Sequence, residues 1–370
     1  MTVPLPGSTT PPGDDREFLF SEIAAYDRLV DALIDHPDQV FVSDWNGDHP
    51  FMDEFLGDLG DAPIGQWGSL GTYSRMDEDL GLSDAVAELH VRRYGEPDVT
   101  ARRCVTGAGA TSFLTTLLMY QYLQGFREIS YLPPVYYNAA WWIRRLGLGV
   151  RRVANDIDFS RSVELNLPDE GGLLWVTDPV WFAGLPLRLA TVNRIAEWQS
   201  RTGATVIVDG TFQYMGWSGA TAEATDRLDP DLTFRLVCPT KTLAMHSFRF
   251  AYAIVPEQHS APFTELHKRL HGPAGLADRL FAHRAVEVLD SHSGALPLMD
   301  FACARYRQLM SSGAVTKAVE PKTGFFLFGR PSVDASEYLA MDVSCFGGQG
   351  YPGFVRVNLL NPAAVGLLTR

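Results

Sequence analysis

The sequence predicts an α/β protein, with a mostly parallel sheet in a large domain and a smaller α+β domain after it. Three observations lead there: short continuous apolar runs recur along the middle of the chain, helical segments alternate with them, and the pattern after Pro256 turns helical before closing on short strands. Strands that are apolar throughout, rather than at alternate positions, belong to parallel sheets covered on both faces. At 370 residues the chain is long enough to bury one large core and a second, smaller one.

The first residues are rich in Pro, Thr and Gly, with no basic stretch and no apolar core, so a flexible tail over 1–16 is expected and a secretory signal is not. From Glu17 onward Phe18, Ile23, Tyr26, Leu29, Val30 and Leu33 recur at helical spacing. Residues 42–51 (VSDWNGDHPF) read as loop, and 83–94 (SDAVAELHVRRY) as an amphipathic helix with Ser83 as its N-cap. Buried strands are expected at 129–132, 173–176, 205–208, 236–238 and 251–255, with helices at 113–123, 138–146 and 188–201 between several of them. Further on, helices are expected at 263–270, 278–289 and 301–309, then strands near 324–329 and 354–359. The expected division is an N-terminal segment (17–45) packing with the small domain, a large domain (46–256) and a small domain (257–370).

A formal net charge of −13 argues against general nucleic-acid binding, which depends on Lys and Arg displacing counterions from phosphates. A cationic pocket inside an acidic protein would still draw an anion. Cys104, Cys238, Cys303 and Cys345 are far apart, with no zinc-type spacing, so no metal site and buried free thiols are expected. No apolar run approaches a membrane span. A soluble, cytoplasmic protein is the expectation.

The chemistry gathers at strand ends. Pro239-Thr240-Lys241-Thr242 follows the 236–238 run, and Arg249 lies eight residues on. Val206-Ile207-Val208 ends in Asp209, and Thr106-Gly107-Ala108-Gly109-Ala110-Thr111-Ser112 leads into a helix. Singly these are ordinary: a lysine after a strand is usually solvated, and an Asp there is usually a turn residue. Jointly they meet the needs of pyridoxal 5'-phosphate. A lysine amine captures the aldehyde as a Schiff base, a carboxylate keeps the ring nitrogen protonated, and a helix N-terminus with an arginine holds the phosphate.

In order and spacing these residues resemble the class I/II aminotransferases, the fold-type I pyridoxal-phosphate enzymes, over roughly 42–360. The resemblance implies an aspartate-aminotransferase-like fold, an α-amino-acid substrate and a homodimer. Asp209, Lys241 and Arg249 look like the family's ring-nitrogen, Schiff-base and phosphate residues, Gly109-Ala110-Thr111 like its phosphate turn, and Thr240 like a further cofactor contact. Pro134-Val135-Tyr136 is similar to the element that lays a tyrosine ring over the cofactor, giving Tyr136 a catalytic role beside Lys241 and Asp209. Arg356 resembles the arginine that clamps the substrate carboxylate, and Tyr73 the tyrosine that reaches a neighbouring subunit's phosphate. Trp45, Asn46 and Gly47, in the 42–51 loop, are expected at the substrate.

Two positions depart from the family pattern. The turn Asp178-Pro179-Val180-Trp181-Phe182-Ala183-Gly184 has Trp181 where the family has an asparagine, and Phe212 stands where it has a tyrosine. Both usual partners of the cofactor's phenolic oxygen are missing, leaving Trp181, Gln213 and Tyr214 as candidates through their N–H or O–H groups. The expected reaction is transamination, with β- or γ-elimination, replacement or cyclisation as the alternative. Aromatic surroundings (Trp45, Tyr136, Trp141, Trp181, Phe182) suit a bulky substrate of specialised metabolism. A nucleotide-binding reading of residues 107–112 lacks the third glycine, and Glu128 precedes a strand instead of ending one.

Overall fold

The chain enters through a 21-residue helix, α1 (Asp15–Asp35), and a two-residue strand, β1 (Val40–Phe41). The computed structural model describes residues 15–45, 47, 49–57, 79–154, 164–219, 223–291, 293–346, 348 and 350–370. Helices α2 (Met52–Leu56) and α3 (Leu82–Leu89) precede the main sheet. That sheet comprises β2 (Cys104–Gly107), β3 (Glu128–Tyr131), β4 (Gly149–Arg152), β5 (Leu173–Thr177), β6 (Thr205–Gly210), β7 (Thr233–Val237) and β8 (Ala251–Ile254). Their spatial order is β2-β8-β7-β6-β5-β3-β4. Neighbours are parallel except at β8, which runs antiparallel to both β2 and β7. Helices α4 (Gly109–Leu123), α5 (Tyr137–Arg145) and α6 (Leu189–Thr202) fill the crossovers. Strands β5, β7 and β8 are buried at every position, as continuous apolar runs require.

After β7 comes the four-residue helix α7 (Pro239–Thr242), and after β8 the helices α8 (Glu257–His271), α9 (Leu276–Asp290) and α10 (Leu296–Ser311). The chain closes with β9 (Val315–Ala318), β10 (Phe326–Pro331), β11 (Tyr338–Leu339), β12 (Val355–Asn358) and α11 (Pro362–Leu368). β12, β10 and β9 form an antiparallel sheet, while β11 pairs in parallel with β1. α1 packs against α5 and β4 as well as against β11 and the turn Val343–Phe346, so it contacts the layer beside the main sheet too.

Several local expectations change. β7 begins three residues before the expected 236–238 run, because buried Arg235 interrupts its apolar pattern. The strands β2, β4 and β9 were not expected: β2 is four residues long, β4 (GVRR) carries charges on half-covered positions, and β9 (VTKA) is exposed at Thr316 and Lys317. Ser83 is not the cap of its helix. The Asp79 carboxylate accepts from the N–H groups of Gly81 and Ser83, and the Ser83 hydroxyl donates to the Cys104 carbonyl. That helix continues as a π turn, His90–Tyr94. Cys104, Cys238 and Cys345 are buried and Cys303 partly so, all as free thiols. Among the described residues no helix is long and apolar enough to cross a membrane, and no cluster suits a metal ion.

Candidate active site

The C-terminal ends of the parallel strands face one cavity of about 280 Å³. Ligands bind at such edges in α/β sheets, because the loops leaving neighbouring strands diverge there. β6 delivers Asp209, β7 leads to Thr240 and Lys241, β2 leads to Ala110 and Thr111, and Tyr136 follows β3. Trp45, Trp181 and Arg249 line the same space.

Asp209 is 4 % exposed. Its Oδ1 accepts from the Thr211 hydroxyl at 2.5 Å and the Thr211 N–H at 3.3 Å, and no other partner lies among the described residues. Burial raises its pKa despite those bonds. A cation at the cavity-facing oxygen would offset that cost. Lys241 sits in α7, just past the buried strand, where burial above all, then the charges of Arg356 and Arg249, pull its amine down to about 8. Gly109 opens α4 at φ +74°, and a Cβ there would lie 2.6 Å from Arg249 Nη2, so the guanidinium occupies space that only glycine leaves. No side chain caps the first N–H groups of α4. An uncapped helix N-terminus beside an arginine is an anion site. Amine, carboxylate and anion site thus fit the three functional ends of pyridoxal phosphate.

Arg356, on β12, is fully buried. Its Nη2 donates to the Ser43 carbonyl, while Nε and Nη1 have no acceptor among the described residues. Burial without a counter-ion lowers the guanidinium to about 10. Its Cζ lies 4.3 Å from the Trp45 ring centroid, and the Lys241 Nζ lies 4.0 Å from the same centroid. The segment before Trp45 is tied to β12: Val42 O accepts from Asn358 N, and the Ser43 hydroxyl donates to Arg356 O at 2.5 Å. Gly47 lies against Leu360, with which a Cβ would collide at 2.7 Å. Asn46 and Tyr73 lie outside the described residues.

The three candidates for the phenolic oxygen separate clearly. Trp181 lines the cavity, edge-on to Tyr136 at 5.9 Å between centroids, and its buried Nε1 has no acceptor among the described residues. Gln213 instead donates to Thr225 Oγ1 at 2.7 Å, and Tyr214 donates to Glu96 Oε1 at 2.5 Å, both away from the cavity. Two aromatics expected around the substrate are also elsewhere. Trp141 is 38 % exposed with Arg145 over its ring, and Phe182 stacks on Phe346 behind Trp181. Sequence reading missed Tyr26 and His246, which line the cavity. Burial, then the charges of Lys241, His49 and Arg249, hold His246 at a pKa of about 3, and its Nδ1 has no partner among the described residues. The signal for His246 was its position between Lys241 and Arg249. Tyr26 gave none beyond helical spacing.

Comparison with known proteins adds the family. The model of aminotransferase class I and II matches residues 56–366. No curated protein matches the sequence. Among solved structures, aspartate aminotransferase from Thermotoga maritima is 18 % identical, with a TM-score of 0.75 over 95 % of this chain and 96 % of that one. N-succinyldiaminopimelate aminotransferase from Mycobacterium tuberculosis is 16 % identical, with a TM-score of 0.76 over 98 % of each. YbdL from Escherichia coli, described with a methionine aminotransferase function, is 17 % identical, with a TM-score of 0.72 over 99 % and 98 %. At such identities these likenesses carry the fold alone.

Proposed function

Because the chain belongs to the aminotransferase class I and II family, we propose that it removes the amino group of an α-amino acid, with Lys241 as the residue that holds the cofactor. It is a pyridoxal-phosphate-dependent enzyme of the transferase type. Bound pyridoxal phosphate supplies an aldehyde for amine capture and a ring that withdraws electrons from the substrate's α-carbon.

The chain's own groups do the rest. Lys241 would hold the cofactor through its aldehyde, and the Lys241 amine would serve as general base for the α-proton. Asp209 would keep a proton on the ring nitrogen, Tyr136 would pack against the ring, and Arg249 with the start of α4 would hold the phosphate. The unpaired Nε and Nη1 of Arg356 orient the α-carboxylate bidentately. Aromatic walls exclude water and favour a bulky, uncharged substrate side chain, in keeping with specialised metabolism. The enzyme acts as a homodimer in this reading. The observation that carries the proposal is one cavity lined together by Lys241, Asp209 and Arg249.

Loading the protein with pyridoxal phosphate, reducing with borohydride and mapping the adduct tests it. The tag is expected on Lys241, and Lys241→Ala should lose both tag and turnover; an adduct elsewhere with full turnover sinks the proposal. A second reading keeps the cofactor and ends in elimination, replacement or cyclisation. The loss of the asparagine and tyrosine, with Trp181 as the unpaired donor in their place, favours it. Incubation with single amino acids separates the two: pyridoxamine phosphate accumulates in transamination, and ammonia or keto acid appears without it in elimination.

A further inference from the structure

We propose that Trp45 is a displaceable placeholder, its indole resting against both the Lys241 amine and the Arg356 guanidinium until a ligand carboxylate takes the guanidinium. This rests on the reading of Arg356 as the carboxylate clamp.

One indole touches both cations, at 4.0 Å from Lys241 Nζ and 4.3 Å from Arg356 Cζ. The two are therefore no farther apart than those distances combined. Like charges that close repel strongly away from bulk water. An aromatic face attracts each of them and offsets part of that repulsion. An α-amino acid carries its nitrogen and its carboxylate on one carbon. A substrate with its nitrogen at the Lys241 position and its carboxylate on Arg356 meets the same two groups as the indole, so the two compete for one space.

The competition favours the substrate. A carboxylate gives the Arg356 Nε and Nη1, now without acceptors, charge-assisted hydrogen bonds that exceed a cation–π contact. The indole is also weakly held. It is half-buried, no hydrogen bond among the described residues fixes it, and its ring neighbours are Phe326 edge-on at 5.2 Å and Phe212 at 6.2 Å. By contrast, the backbone just before it is anchored, since Asp44 O accepts from Asn358 Nδ2 at 2.8 Å. The side chain can swing while the segment stays. A ligand without a carboxylate does not release Trp45, so the residue sharpens discrimination between an amino acid and its uncharged analogue.

The test titrates the full chain, with and without pyridoxal phosphate, using 3-phenylpropionate and the matched 3-phenylpropanamide while following tryptophan emission. The carboxylate is expected to shift the emission and the amide to leave it unchanged. Trp45→Phe should lose the shift while calorimetry still records carboxylate binding. Bound carboxylate with unchanged emission, or a shift retained in Trp45→Phe, overturns the proposal. Should that variant not fold, fluorine NMR of the wild-type chain labelled with 5-fluorotryptophan decides: one of eight tryptophan resonances should move with the carboxylate and not with the amide, and none moving overturns it. Absence of carboxylate binding removes the Arg356 clamp and this proposal together. Failure of cofactor capture, read separately from visible absorbance, strikes the proposed function while the cofactor-free arm still tests Trp45.

Discussion

Lys241 owes its chemistry to where the chain turns. β7 is buried along its whole length, and α7 starts at Pro239, so the lysine emerges two residues later with its amine still shielded. Shielding disfavours the charged form, which lowers the amine from 10.5 to about 8. The neutral amine is the nucleophile, so capture of pyridoxal phosphate by the cofactor-free chain should speed up with pH and level off. The half-rise is expected near pH 8 in stopped-flow absorbance, and a midpoint near 10.5 would mean a solvated amine. The same logic explains Trp181 and Phe212. With Phe212 unable to donate, and with Gln213 and Tyr214 engaged by Thr225 and Glu96, the indole N–H of Trp181 is the donor from these positions left facing the cavity.

Behind those turns, β7 and its neighbours share a buried polar cluster. Arg235, in the middle of β7, pairs with both Glu96, just past the π turn, and Asp226, in the short turn Ala224–Arg227. Glu96 also accepts from Tyr214, and Glu223 accepts from the Tyr214 N–H at 2.7 Å. Thr225 donates to Asp178 Oδ2 at 3.1 Å, at the start of the Trp181 turn. The cluster thereby ties together the two loops that carry Trp181 and Phe212. Arg235→Met would leave two largely covered carboxylates without their cation, and a loss of about 3 kcal/mol is expected. Denaturant melts measure it, and a variant as stable as the wild type would mean the cluster adds nothing to stability.

Over the whole molecule, α1 is the element that touches both the main sheet's helical layer and the turn beside β12. Glu22 lies in it, 1 % exposed, with neither carboxylate oxygen bonded among the described residues. Burial raises its pKa well above 4.5. The folded chain keeps that proton after the unfolded chain has lost it, so the stability linked to Glu22 is full below about 4.5 and declines as pH climbs toward the folded value. Glu22→Met removes the titration. It should flatten the decline and raise stability at pH 8 by ~1–3 kcal/mol, the scale of an unsatisfied buried polar group; melts at pH 5 and pH 8 that match the wild type would refute this. Sequence by itself determined the parallel sheet and the order of reactive residues along it, because both are written locally: apolar runs long enough to be buried, and small or charged residues where each run stops. Arg235 hid the start of β7 because burial normally excludes a lone charge, and its partners come from distant turns. Tertiary structure alone decided that Trp45, from the first loop, stands against Arg356, from the last strand, that Tyr26 reaches the cavity, and that Gln213 and Tyr214 turn away from it. Such contacts join segments far apart in the chain, and only the packing of α1, the main sheet and β12 against one another brings them within reach.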